Sequence, residues 1–280
     1  MQENNNKPNT PDTKESVLEL FSGTHEYYAK YRPGIPEEVI NIIVKHFDIK
    51  PSDRILDIGC GTGQVALAIE GKCGEMVCLD SDPKMLKQAK KATKDSKIKV
   101  VWINRGSKDL EKIKENLGTF RVATICRAFH WMDQEQVLKD LNDLINEDGG
   151  IAIFGDASFW TGQEEWQRTA RRVVQKYLGE ERRAGKATFK QSDELWENIL
   201  ARSVFRFIKT HDVPIIRSWD VESIIGYVLS TAFAAPHLFG DQLDRFKEET
   251  KNILLSINQK GVFQENAVWS IVLGSKKSRE

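Results

Sequence analysis

The chain has 280 residues, 40% of them hydrophobic and 29% charged, with 41 basic and 41 acidic side chains and a formal net charge of zero. That apolar content supports a core and excludes wholesale disorder, while the balanced charge does not call for nucleic acid or an anionic membrane as a partner. Four cysteines (Cys60, Cys73, Cys78 and Cys126) without a C-x-x-C pair exclude a disulfide scaffold or zinc ribbon and point to a reducing, cytoplasmic setting, and no apolar run approaches the roughly 20 residues of a membrane span.

Met1–Lys14 is rich in Asn, Lys, Pro and Thr and lacks the apolar stretch of a signal peptide, so residues 1–15 are expected to form a disordered leader. Val39, Ile40, Ile43 and Phe47 recur at helical spacing, with Pro36 suited to the first turn. Arg54–Ile58 predicts a strand, followed by glycines and a helix from Gln64. Met76–Leu79 predicts a second strand. Asp82 is placed to cap a helix that starts on Pro83 and carries Leu86 and Ala89 on one face. Ile98–Ile103 predicts a third strand, Leu110, Ile113 and Leu117 a third helix, and Val122–Cys126 a fourth strand. Asp133 and Gln136 have capping-box spacing ahead of a helix bearing Val137, Leu138, Leu141, Leu144 and Ile145. Asn146–Gly150 reads as a turn and Ile151–Phe154 as a fifth strand.

After Asp156 the pattern becomes mostly helical. Trp166, Ala170, Val173, Val174 and Tyr177 share a face, Gly179–Gly185 is a charged loop, and Leu195, Trp196 and Ile199 suggest a short helix. Val204–Ile208 predicts a strand. Val221–Val228 and Leu243–Ile257 predict helices, and Ala267–Leu273 a final buried strand. Strand–helix alternation with short connections predicts a doubly wound, mostly parallel α/β sheet, with its ligand at the carboxyl ends of the strands. The expected organisation is a core over residues 16–156 with an N-terminal helical entry, a helical cap insertion over 157–201, and C-terminal strands and helices over 202–280 that complete sheet and cap.

The strongest motif is Ile55-Leu56-Asp57-Ile58-Gly59-Cys60-Gly61-Thr62-Gly63. A strand ends, the chain turns on glycines, and a helix starts with free N–H groups and the positive end of its dipole. Gly61, Gly63 and Ala66 also fit the dinucleotide pattern G-x-G-x-x-G/A. Asp57, inside the strand, argues against that reading. An acid beside the loop repels a pyrophosphate but suits a ligand that carries an ammonium group.

With these residues the sequence resembles the class I S-adenosylmethionine (SAM)-dependent methyltransferases. The resemblance implies a seven-stranded Rossmann-like fold, SAM as cofactor and S-adenosylhomocysteine as its product. Asp57, Gly59, Cys60, Gly61 and Gly63 match the family's cofactor loop. Asp80 stands where the family's acid binds both ribose hydroxyls. Ser81 through Leu86, Met85 included, match the continuation that packs on adenine. Ala267–Leu273 corresponds to the family's seventh, antiparallel strand. Tyr28 through Pro36, and Phe129 through Asp133, resemble the entry segment and the post-β4 segment of the trans-aconitate methyltransferase-like group. Two positions depart from the pattern: Arg121 stands where the fourth strand commonly begins with Asp, and Ser107 where an acid often reaches the adenine amino group. Backbone groups near Ser107 and Lys108 are therefore expected to serve adenine, with Arg127, just after the fourth strand, also on the cofactor side.

Each of these residues has a plainer reading beside the functional one. Tyr28 and Arg32 either anchor the N-terminal helix or close over the methionine end of SAM, where a guanidinium fork suits a carboxylate. His130 and Trp131 are either packing residues or, at the mouth of the cleft, an acid/base group and a pocket wall. Trp160, Phe233 and His237 are either cap core or a lining for an apolar or aromatic acceptor. The seven lysines of Lys84–Lys99 read as a solvated helix face, and Cys60 and Cys126 as small packing residues.

The expected function is methyl transfer to a small-molecule acceptor, on O or N, with a carboxylate or an aromatic or heterocyclic metabolite as candidate. His130 is the candidate catalytic group, and no nucleic-acid, membrane or metal partner is expected. The competing readings are an RNA or protein methyltransferase, a non-catalytic SAM-binding protein and an NAD-dependent oxidoreductase. Monomer and dimer both remain open.

Overall fold

The computed structural model describes residues 20–157, 159–181, 183–184, 187–188 and 194–278. The leader expected over residues 1–15, and part of the charged loop expected over Gly179–Gly185, lie outside them.

Two helices, α1 (His25–Tyr31) and α2 (Glu37–Phe47), precede the sheet. The strands β1 (Arg54–Ile58), β2 (Glu75–Asp80), β3 (Val100–Asn104), β4 (Phe120–Cys126) and β5 (Ile145–Asp156) then alternate with helices. These are α3 (Gln64–Ala68), α4 (Pro83–Ala92), α5 (Leu110–Ile113) and α6 (Gln134–Leu144). Beyond β5 come α7 (Glu165–Leu178), a short two-stranded hairpin (Arg183–Ala184 with Ala187–Thr188), and α8 (Trp196–Ala201). The chain closes with β6 (Phe207–Asp220), α9 (Val221–Leu229), α10 (Leu243–Ile257) and β7 (Val262–Ser275).

The seven strands lie in the order β3-β2-β1-β4-β5-β7-β6. The first five pair in parallel, while β7 runs antiparallel to both of its neighbours. This is the doubly wound, mostly parallel sheet of a Rossmann-like methyltransferase fold, with a helical insertion after β5. The order reverses between β1 and β4, and in sheets of this kind ligands commonly bind at the carboxyl ends of the strands beside such a reversal.

Alternate residues of each central strand feed two cores. One face carries Leu56, Ile58, Val77 and Leu79 against Leu138 and Leu141 of α6 and Ile199 and Leu200 of α8. The other carries Ile55, Met76 and Val122 against Val39, Ile40, Ile43 and Phe47 of α2. A third cluster joins Phe159, Trp166, Trp219, Tyr227, Phe233 and Phe246 among the helices that follow β5 and β6. Burying so many apolar side chains contributes about 1.5–3 kcal/mol for each large one.

The predicted caps form: the Asp82 side chain accepts from the Lys84 amide at 2.7 Å, and that of Asp133 from the Gln136 amide at 3.1 Å. Other elements differ from expectation. The stretch Asn146–Gly150, expected as a turn, belongs to β5, because Phe120 pairs with Ile145 before a shift in register brings Val122 opposite Gly150. The third helix shortens to α5, flanked by single 3-10 turns over Ser107–Asp109 and Lys114–Asn116.

The strand expected over Val204–Ile208 begins instead at Phe207 and continues to Asp220, and that expected over Ala267–Leu273 extends to Val262–Ser275. Their pairing runs from Phe207 opposite Ser275 to Asp220 opposite Val262, whereas β5 meets β7 only as far as Asp156 opposite Trp269. The far half of this ribbon therefore overhangs the sheet, and Trp219 and Phe263 there pack with α7 and α9 in the third cluster. The same two strands close the sheet and support the cap.

Candidate functional site

The glycine loop turns over the ends of β1 and β2. The Gly59 and Cys60 amides both donate to the Leu79 carbonyl, at 2.8 and 3.0 Å, which pins the loop to β2. Gly59 has φ +70°, and a Cβ there would lie 2.8 Å from Ala128 Cβ, so no side chain fits. Gly61 has φ +54°, and a Cβ there would meet nothing within 4 Å. The loop thus presents bare backbone to open space at Gly61. Gly63 caps α3.

Two acids flank this loop, one buried and one half-buried, because β1 and β2 are neighbours. Asp57 is fully buried; it stands opposite Cys78 on one side and Thr124 on the other. Its Oδ1 accepts from Thr124 Oγ1 at 2.8 Å, and its Oδ2 has no partner among the described residues. Burial pushes its carboxyl up to about 7, against the hydrogen bond from Thr124 and with help from the nearby charge of Asp80. Asp80, the last residue of β2, accepts from the Gly61 amide through Oδ2 and from the Asp82 amide through Oδ1, both at 2.8 Å. Burial raises it to about 6, opposed by those two hydrogen bonds. Cys60 and Cys78 complete the underside, and burial holds both thiols above their ordinary range, as it does Cys126, to about 12.

On the β2–β3 side, Asn104 stands opposite Asp80 and donates to the carbonyls of Asp80 and Ser81, each at 3.0 Å. Met85 is buried on the inner face of α4. Ser107 is half-buried and Lys108 exposed on the turn after β3.

The entry segment lies across the other side. The Arg32 guanidinium stacks between the rings of Tyr28 and Tyr227, at 4.9 and 4.8 Å, and its buried Nε has no partner. Gln64, first residue of α3, donates to the Arg32 carbonyl at 3.2 Å and accepts from Arg127 Nη1 at 2.9 Å. Arg127 also donates to the Pro33 carbonyl at 3.1 Å, lies 4.6 Å over the Trp269 ring, and pairs with Asp156 at 2.6 Å. It has φ +55°, a strained conformation for a residue with a side chain. Asp156 pairs again with Arg217 at 2.6 Å. Burial works to raise Asp156, but the two guanidinium groups outweigh it and hold the carboxyl at about 2.

His130 and Trp131 sit on the 3-10 turn after β4, ring against ring at 4.8 Å, with Trp131 edge-on to Phe21 at 5.7 Å. Trp160 meets Phe233 edge-on at 5.0 Å, and Phe233 stacks on Phe159 within the cap core. His237 is exposed on the surface, its Nδ1 2.8 Å from the Ser22 carbonyl. Loop, acids, entry segment and post-β4 turn therefore gather at one end of the sheet. Phe233 packs in the third cluster, and His237 is exposed beside Ser22.

Sequence reading did not single out Gln64, Thr124, Asp156, Arg217 or Tyr227. Thr124 left a trace, as a lone polar residue inside the apolar run Val122–Cys126. The others left none, because their partners are distant along the chain.

Residues 55–149 match the family described as a methyltransferase domain. A stretch of 136 residues, 48% of this chain, is 28% identical to 45% of a Saccharomyces cerevisiae protein named as a probable S-adenosylmethionine-dependent methyltransferase. The chain spans about half the length of the curated relatives that match its core. A chain from Anaeromyxobacter dehalogenans, solved as a candidate type II methyltransferase, superposes with a TM-score of 0.59 at 14% identity, over 89% of this chain and 100% of that one. A SAM-dependent methyltransferase from Thiobacillus denitrificans, solved with S-adenosylhomocysteine, gives 0.51 at 14% identity over 93% of this chain and 98% of that one.

Proposed function

We propose that this chain, which carries a class I SAM-dependent methyltransferase domain and takes SAM as its cofactor, moves the methyl group to a small-molecule acceptor bearing a carboxylate. The matches support the wide class rather than the trans-aconitate-like group within it.

One observation carries the cofactor reading: an open glycine backbone lies between a buried and a half-buried acid at the ends of adjacent strands, and the buried acid has an oxygen without a partner among the described residues. An orphaned buried carboxylate oxygen is costly unless a ligand satisfies it. Asp57 Oδ2 would face the ammonium group of SAM, and Asp80 would accept from the ribose hydroxyls with the lone pairs that Gly61 and Asp82 leave free. Met85 and the turn at Ser107 and Lys108 would border the adenine. Tyr28 and Arg32 would close over the methionine end.

SAM supplies an electrophilic methyl carbon on a sulfonium centre. The chain's own work is to hold donor and acceptor in line and to exclude water, which can supply about 7–11 kcal/mol of a bimolecular barrier. Three buried donors support an acceptor rich in oxygen: Arg32 Nε, Arg127 Nη2 and Trp269 Nε1 lack a partner among the described residues. A carboxylate satisfies such donors and, being already ionised, needs no base to act as nucleophile. His130, ring to ring with Trp131 at the cleft mouth, would then position the acceptor, and would take a proton only from a hydroxyl or ammonium acceptor.

The test is isothermal titration with SAM and S-adenosylhomocysteine beside NAD, on wild type and Asp80→Ala. Saturable SAM binding that is lost in Asp80→Ala is expected, followed by transfer of labelled methyl to carboxylic acids in an acceptor screen. A folded wild type that ignores SAM overturns the cofactor role. Labelling confined to acceptors without a carboxylate overturns the acceptor class.

A further inference from the structure

A chain of buried charges crosses the molecule beneath the site. On the cap, Gln167 of α7 donates to Glu265 Oε1 at 2.8 Å, and Trp219 Nε1 donates to Glu265 Oε2 at 2.9 Å. Glu265, on β7, lies 3.5 Å from Arg217 on β6. Arg217 pairs with Asp156 at the end of β5, and Asp156 with Arg127 just after β4. Arg127 then grips the Pro33 carbonyl and Gln64, which opens the helix after the glycine loop. The four charged side chains are only 3–11% exposed.

Such a chain is poorly explained as a source of stability. Removing charges from water costs several kcal/mol for each ion, and well-packed apolar residues commonly serve as well. What the chain does provide is a defined geometry. It ties the cap helix α7, through the overhanging ribbon, to the strained turn at Arg127 and to the entry segment beside the loop.

We infer that Arg217 is a positioning residue that couples the cap to the cofactor loop, acting through Asp156 and Arg127 on Gln64 and Pro33. The inference rests on the SAM-binding reading above. By linkage, whatever closes the cap then tightens the grip on SAM, and SAM favours the closed cap by the same factor.

The experiment measures SAM affinity by titration in a double-mutant cycle, with melting curves on every variant. The cycle pairs Gln167→Ala at the cap end with Gln64→Ala at the loop end, two side chains that share no partner. Coupling through the chain makes the double variant's loss of affinity differ from the product of the single losses by at least about threefold. Arg217→Met is expected to abolish that coupling and to weaken SAM binding about tenfold, and Arg217→Lys to recover most of both. Arg217→Met keeps Asp156 paired with Arg127 and Glu265 held by Trp219 and Gln167, the melting curves show whether it is folded, and Arg217→Lys, which keeps the charge, carries the test if it is not. Independent single effects, or an Arg217→Met variant that melts lower while binding SAM like wild type, overturn the inference and leave the SAM reading standing. A folded wild type that binds no SAM overturns both.

Discussion

Asp57 and Thr124 face each other across β1 and β4, and the single hydrogen bond between them, at 2.8 Å, is the only one the buried Asp57 carboxylate receives among the described residues. The folded carboxyl sits at about 7, above its ordinary value of 3.8, chiefly because of burial. A raised folded value means that this group favours the native state below about pH 4 and that the benefit is lost as pH rises toward 7. A charge disfavoured in the free protein is what a cationic ligand uses. Asp57→Asn is therefore expected to raise the melting temperature of ligand-free protein at pH 8, to leave it nearly unchanged at pH 4, and to weaken SAM binding at least tenfold. Melting curves at both pH values, with and without SAM, check all three.

The same group sets the pH dependence of binding. An ammonium ligand prefers ionised Asp57, so binding at or below pH 7 releases a proton, and the affinity for SAM falls as pH drops through about 7. Asp80, at about 6, steepens the fall below that value. Titrations from about pH 8.5 to about pH 4.5, a range that extends more than a unit beyond both groups, are expected to show weakening throughout the acid limb. In Asp57→Asn the portion near pH 7 disappears and the portion near 6 stays.

Gly59 and Gly61 separate stability from binding. At Gly59 a methyl group collides with Ala128 Cβ, so Gly59→Ala is expected to lose several kcal/mol and to fold poorly. At Gly61 the methyl points into open space, and the cost is the left-handed backbone alone, about 1–2 kcal/mol. Gly61→Ala should melt only slightly lower than wild type yet lose most of its SAM affinity, because the methyl occupies the surface offered to the ligand. Denaturant melts beside titrations distinguish the two variants.

The entry helix rests on a third glycine. A Cβ at Gly226 of α9 would lie 2.2 Å from the Tyr31 ring of α1, and Tyr31 and Lys30 both reach Glu222, at 2.6 and 2.8 Å. The exposed ion pair contributes little by itself. Gly226→Ala is expected to push α1 away and speed proteolysis near Tyr31. It should also raise the KM for SAM with a smaller change in kcat, which limited digestion and steady-state kinetics would reveal.

Where sequence reading succeeded, the signal was local. The five parallel strands show as short apolar runs, each ended by its own turn residue, and the caps at Asp82 and Asp133 by spacing alone. Beyond its first two residues, which the expected strand Val204–Ile208 includes, β6 was hidden because it is an edge strand: His211, Asp212 and Pro214 break its apolar run, and Ile216 is 74% exposed. Such a segment becomes a strand only because β7 pairs with it along its whole length. Thr124 could be noticed but not interpreted, since its partner depends on which strand lies beside β1.

By itself, the sequence determined the α/β alternation, the glycine loop and the two acids at the strand ends, for these depend on a few neighbouring residues and on the turn chemistry they dictate. Only the tertiary structure decided that Asp57 would be buried with one oxygen unsatisfied. It alone brought Arg127, Asp156, Arg217 and Glu265 into one buried chain. Those facts depend on strand order and register, and hence on which side chains lose their water together, and no local pattern carries that information.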